Sequence, residues 1–155
     1  MKKELLAKVV STLQEEFETV SAAAKAAVHA ATAEESKPEN QYDTFALEAS
    51  YLAAAQGRRV QELERMIQVL TNFPLNPSSV VGSGSLLEVE SDGKQFYYFL
   101  LPFGAGVSME AGGKKATVVT LDSPLGQLFQ GRKAGDTVEF ARGGAVKEYE
   151  ILSLS

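Results

Sequence analysis

The sequence predicts an α+β protein: an N-terminal antiparallel two-helix coiled coil, followed by a small β domain that carries one short helix. Three observations predict it. Residues 2–33 contain neither glycine nor proline. Two heptad seams lie in the first half of the chain and mirror each other about Pro38. Beyond residue 79, short apolar runs alternate with glycine-centred turns.

The first seam runs through Leu6, Val10, Leu13, Phe17, Val20, Ala24, Ala27 and Ala31. Its steps alternate four and three, which places all eight residues on one helical face. The second seam, with the same alternation, runs through Tyr42, Ala46, Ala49, Ala53, Gln56, Val60, Leu63, Ile67 and Leu70. Paired antiparallel, Leu6 meets Leu70, Leu13 meets Leu63 and Ala27 meets Ala49, and the position numbers of each pair sum to 76 or 77. The fold-back point then falls near residue 38, which is proline, a helix breaker. Gly57 is the weak point of the second helix, because glycine costs about 1 kcal/mol in a helix interior. Large residues pair at the open end and alanines near the turn, so the far end is expected to be slim. At about 1.5 Å per residue, arms of roughly 30 residues reach about 45 Å.

The turn collects charge: the segment 34–43 holds Glu34, Glu35, Glu39 and Asp43 with a single cation, Lys37. Carboxylates on a short turn suit a hard divalent cation, of which Mg²⁺ takes only one or two and keeps water or phosphate elsewhere. The simpler use of the same residues is capping of the second helix by Glu39, Asn40 or Asp43.

Asn72-Phe73-Pro74-Leu75-Asn76-Pro77-Ser78-Ser79 ends the helix and marks a boundary. The expected division is a finger over 1–73, a linker over 74–79 and a β domain over 80–155. Strands are expected over 85–90 and 94–101 around Ser91-Asp92-Gly93, over 116–121, and over 137–141 and 146–152 around Gly143-Gly144. Residues 102–115, rich in glycine, lack the spacing of a phosphate-binding loop and read as a connection, with Lys114 and Lys115 as a local surface contact. Ser123 as N-cap, Pro124 at the first helical position and Gly131 as terminator give a short helix lying across the sheet.

Composition removes several function classes. The chain has 155 residues, a formal net charge of -5 and no long block of Lys or Arg. Free-standing binding to a nucleic-acid backbone is therefore not its expected role. No cysteine is present, which removes disulfides, thiolate metal sites and a Cys nucleophile. Glu15, Glu16 and Glu18 interrupt any apolar run near the start, so neither a signal peptide nor a membrane span is expected, and a cytoplasmic location is. The one histidine, His29, falls on the first helix, where a helix-surface imidazole is a simpler reading than a Ser-His-Asp triad.

Ser123-Pro124-Leu125-Gly126, followed by Gly131-Arg132-Lys133-Ala134-Gly135-Asp136-Thr137-Val138-Glu139 and the closing Glu148-Tyr149-Glu150-Ile151, resembles the C-terminal signature of the Gre family of bacterial transcription elongation factors. Gly57-Arg58-Arg59-Val60 resembles that family's second-helix pattern. The resemblance covers about the last 75 residues by motif and the finger by architecture. It implies an FKBP-like β domain that docks on the rim of RNA polymerase through Ser123, Pro124, Leu125, Leu128 and Phe129. It also implies a finger that enters the polymerase secondary channel.

Tip acids of that family help hold the second Mg²⁺ of the polymerase, which then cleaves its own backtracked RNA. Here Glu39 with Asn40 matches the family's Glu-Asn, with Glu35 and Asp43 as further candidate ligands; the family's upstream Asp position is Ser36. Two outcomes stand: a cleavage-promoting factor, or a channel-docking inhibitor or modulator. The expected partners are bacterial RNA polymerase and, within that complex only, the RNA 3′ end. No membrane partner, catalytic residue, resident cofactor or stably bound metal of the protein's own is expected, and it is expected to be a monomer. Two other readings are a prolyl isomerase, which needs a deep aromatic pocket, and a chaperone-like hairpin, which needs apolar exposure at the tip. Phe96, Tyr97, Tyr98 and Phe99 argue against such a pocket, because consecutive strand residues face opposite ways.

Overall fold

A computed structural model describes residues 1–32 and 45–155. It contains a pair of long helices followed by a six-stranded sheet and one short helix, as the sequence predicts. The helices are α1 (Lys2–Thr32) and α2 (Phe45–Thr71). The strands are β1 (Leu86–Ser91), β2 (Lys94–Leu101), β3 (Ser108–Ala111), β4 (Lys114–Thr120), β5 (Thr137–Arg142) and β6 (Ala145–Leu154), with α3 (Pro124–Phe129) between β4 and β5. The chain forms two compact units, Ser11–Val69 and Met1–Val10 with Leu70–Ser155.

In the helical unit the described seam residues are withdrawn from solvent. Leu13, Ala27 and Leu63 are buried, and Phe17, Val20, Ala24, Ala53, Gln56, Val60 and Ile67 are half-buried. A polar contact also joins the two helices: Arg59 Nε and Nη2 both donate to Glu16 Oε1, at 3.1 and 2.7 Å. Glu16 and Arg59 lie one step outside the Leu13–Leu63 pair in opposite chain directions, as antiparallel arms require.

In the sheet unit the strand order is β3-β4-β2-β1-β6-β5. All neighbours are antiparallel except β2 and β4, which run parallel. Strand alternation divides the buried side chains between two faces. One face gathers Leu87, Val89, Leu100, Val138, Tyr149 and Ile151 against Phe129 of α3. The other carries Leu86, Phe99, Ala116 and Val118. Met1 and Leu5 of α1 share a small void with Leu86, Tyr97, Ala111 and Ala116 on that second face. Lys2 Nζ donates to Gly84 O at 3.3 Å, Lys8 Nζ donates to Glu110 O, and desolvation lowers the Lys2 pKa.

Two sequence expectations change here. Residues 102–115 are not a mere connection: β3 lies within them and turns into β4 through Gly112 and Gly113, whose φ values are +59° and +75°. A four-residue strand with only two inward side chains, Met109 and Ala111, carries too short a pattern to read. Lys114, expected in the loop, stands on β4 with its ammonium 5.1 Å from the Tyr97 ring centroid. Leu5 and Val9, which lie off the heptad seam, are buried, and Met1–Val10 groups with the sheet unit.

Candidate functional site

The family-like motif folds as a helix start and a turn, and each residue in it has a local physical cause. Ser123 is the N-cap of α3, with its Oγ accepting from Gly126 N–H at 3.1 Å and donating to Thr120 O at 2.6 Å. Pro124 opens the helix, where a missing N–H costs nothing. Gly126 is required by close approach: a Cβ there would stand 2.0 Å from the Thr120 carbonyl oxygen. The helix ends into Gly131, whose N–H donates to Val81 O at 3.0 Å while Val81 N–H donates to Arg132 O at 2.8 Å. The following turn is closed by Asp136, whose carboxylate accepts from Lys133 N–H at 2.8 Å, and by Gly135 at φ +93°.

The expected docking residues separate on this frame. Pro124 is exposed, and Ser123, Leu125 and Leu128 are half-buried. Phe129 is 0% exposed and is a core residue. Its ring lies 5.9 Å from Tyr98 and 6.0 Å from Tyr149, centroid to centroid. The surface that a partner can touch at α3 is therefore made by Pro124, Gln127 and the outer parts of Leu125 and Leu128. The sequence distinguishes these poorly, because a six-residue helix completes fewer than two turns.

The aromatic residues on β2 do alternate. Phe96 and Tyr98 pack against the α3-side core, and Phe99 is buried on the opposite face. Phe96, Tyr98, Phe129 and Tyr149 form stacked, tilted and edge-on pairs that fill that core. Burial, then the neighbouring Tyr149 to which it hydrogen-bonds, pushes the Tyr98 phenol up to about 12.

The tip candidates Glu35, Glu39 and Asp43 lie outside the described residues. Among the described residues no group of three or more His, Asp or Glu side chains is placed to hold a metal ion. Leu47, Tyr51 and Leu52 of α2 are exposed, as is Val28 of α1. The helical unit therefore presents apolar as well as charged surface, which the acid-rich segment 34–43 did not suggest. No described helix is long and apolar enough to cross a membrane.

Sequence reasoning missed one further feature. A groove of about 570 Å³ is lined by Lys3, Leu6, Ala7, Val10, Phe73 and Leu75 among others. Its available signal was the apolar pair Phe73 and Leu75 inside a segment otherwise readable as a linker.

No protein-family model matches the chain, and no curated sequence relative matches it. Solved structures similar to it include the GreA factor homolog 1 (Gfh1) protein of Thermus thermophilus, at 18% identity and a TM-score of 0.39, covering 94% of each chain. Gfh1 of Thermus aquaticus is similar at 18% identity and a TM-score of 0.39, over 98% of this chain and 92% of that one. A prokaryotic transcription elongation factor GreA/GreB from Nitrosomonas europaea is similar at 19% identity and a TM-score of 0.39, over 70% of this chain and 94% of that one.

Proposed function

We propose that this protein binds bacterial RNA polymerase as a Gre-type elongation factor, supplying no catalytic residue of its own. The observation that carries the reading is the motif 123–136. Its Ser-Pro-Leu-Gly helix start and its Gly-Asp turn resemble the family signature, and the fold gives Ser123, Gly126, Gly135 and Asp136 defined local roles. The sheet unit docks on the polymerase through the exposed side of α3 around Pro124. The helical hairpin enters the secondary channel. Its long antiparallel arms, with Leu13 and Leu63 buried and joined by the Glu16–Arg59 pair, give the stiffness that delivery of a side chain into a distant active site needs.

At the tip, Glu39, assisted by Glu35 or Asp43, offers carboxylate oxygens to the second Mg²⁺ of the polymerase. In two-metal phosphoryl chemistry such an ion stabilises the attacking or leaving oxygen. A second reading, a channel-docking modulator that does not stimulate cleavage, is favoured by Ser36 at the family's acidic position.

The test is RNA cleavage by a purified, backtracked bacterial elongation complex, with and without the protein and beside Glu39→Ala. Faster cleavage that the substitution abolishes supports the cleavage-promoting reading. Slowed elongation without faster cleavage supports the modulator. Absence of both binding and any effect on the polymerase overturns the assignment.

A further inference from the structure

The β5–β6 hairpin sorts its charges by face. Val138, Phe140 and Arg142 of β5 share one face with Ala145, Lys147 and Tyr149 of β6, because Val138 pairs with Tyr149, Phe140 with Lys147 and Arg142 with Ala145. Glu139, Glu148 and Glu150 share the other. Cations and carboxylates one or three positions apart in sequence are thus held on opposite sides of the sheet. Among the described residues neither Arg142 nor Lys147 has an ion-pair partner.

On the cationic face lies a recess of about 170 Å³, lined by Phe140, Arg142, Ala145, Lys147 and Tyr149. Its apolar parts are the half-buried Phe140 ring and the edge of Tyr149, while Arg142 and Lys147 are exposed beside them. The volume is below the roughly 300–1,000 Å³ of small-molecule sites and suits a single inserted side chain. β5 is the terminal strand of the sheet, so one edge of its backbone has no neighbouring strand among the described residues. An open edge can add an extended peptide, whose main chain supplies affinity while pockets for alternate side chains supply specificity.

We propose that this recess receives an apolar side chain of an extended acidic segment of a protein partner, running beside β5 with its carboxylates meeting Arg142 and Lys147. A guanidinium and an ammonium flanking an apolar floor complement an apolar residue set among acids. The net charge of the chain, -5, and the carboxylates on the far face of the hairpin work against a polyanionic nucleic-acid strand. The proposal is independent of the polymerase assignment.

The experiment uses the full chain and a short fluorescein-labelled peptide in which glutamates stand two positions before and after a leucine, with threonine between, so that acid and apolar side chains share one strand face, followed by fluorescence anisotropy. The same titration is made with a lysine–leucine counterpart and with labelled oligothymidylate. The acidic peptide is expected to bind, and Arg142→Glu with Lys147→Glu to weaken it by roughly tenfold or more. Glu139→Gln, on the opposite face, is expected to leave binding unchanged. All three substituted side chains are exposed, and circular dichroism checks that the variants fold. Absence of acidic-peptide binding, equal binding by the charge-reversed variant, or preference for the lysine peptide or oligothymidylate overturns the proposal.

Discussion

Two glycines inside helices show how differently the two units are built. Gly57 lies within α2, and a Cβ added there would meet nothing within 4 Å. Gly126 lies within α3, and a Cβ there would be driven to 2.0 Å from a backbone oxygen of the preceding segment. The helical unit rests on a narrow seam with open space around it. The sheet unit is packed so that the backbone of α3 touches the chain leaving β4. At these two positions the first arrangement leaves room for a side chain and the second leaves none.

Substitutions at matched places break or sharpen this contrast. The largest effect is expected from Phe129→Ala, which empties the centre of the aromatic core. A loss of about 3–5 kcal/mol is expected, read by denaturant unfolding of the sheet unit through its tyrosine signal. A loss below 1 kcal/mol would mean that the core collapses into the space and is looser than its packing implies. Gly126→Ala is expected to cost about 1–3 kcal/mol in the same measurement, because the obstacle is backbone and cannot rotate away.

The mirror experiment, Gly57→Ala, is expected to raise the stability of the helical unit by roughly 0.5–1 kcal/mol, since helix propensity improves and no contact opposes it. Thermal scans of helix content measure this, and a destabilising result would place a neighbour against Gly57. Arg59→Ala is expected to cost about 0.2–1 kcal/mol, because the Glu16–Arg59 pair is partly exposed, and the cost should shrink with added salt.

The smallest effect is confined to alkaline pH. The Tyr98 phenol, at 10.0 when unfolded, is pushed up to about 12 in the fold. The folded state therefore holds this proton more tightly. The stability it contributes is fully present below pH 10 and is lost as pH rises through about 12. Tyr98→Phe should flatten that alkaline loss, and alkaline unfolding curves that do not differ from wild type would contradict the burial argument.

The same contrast explains what could be read in advance. The helix pair was legible because a heptad seam is local and repeated, so many weak signals agree. The motif at 123–136 was legible because caps and turns impose residue types at fixed offsets. β3 was not legible, since four residues with two inward side chains make a pattern no longer than chance. The surface and core residues of α3 were not separated either, because Leu125, Leu128 and Phe129 are all apolar and only the sheet determines which one it covers.

Periodicity and local chemistry alone foretold the helix pair and the capped turn at Ser123. These depend on periodicity and on backbone preferences that act over a few residues. Only the tertiary structure decided that Leu5 and Val9 belong to the sheet unit, that Phe129 is core, and that Arg142 and Lys147 gather beside an apolar recess while nearby carboxylates face away. Those outcomes depend on which strands pair and in which register, and strand pairing joins residues that no local pattern connects.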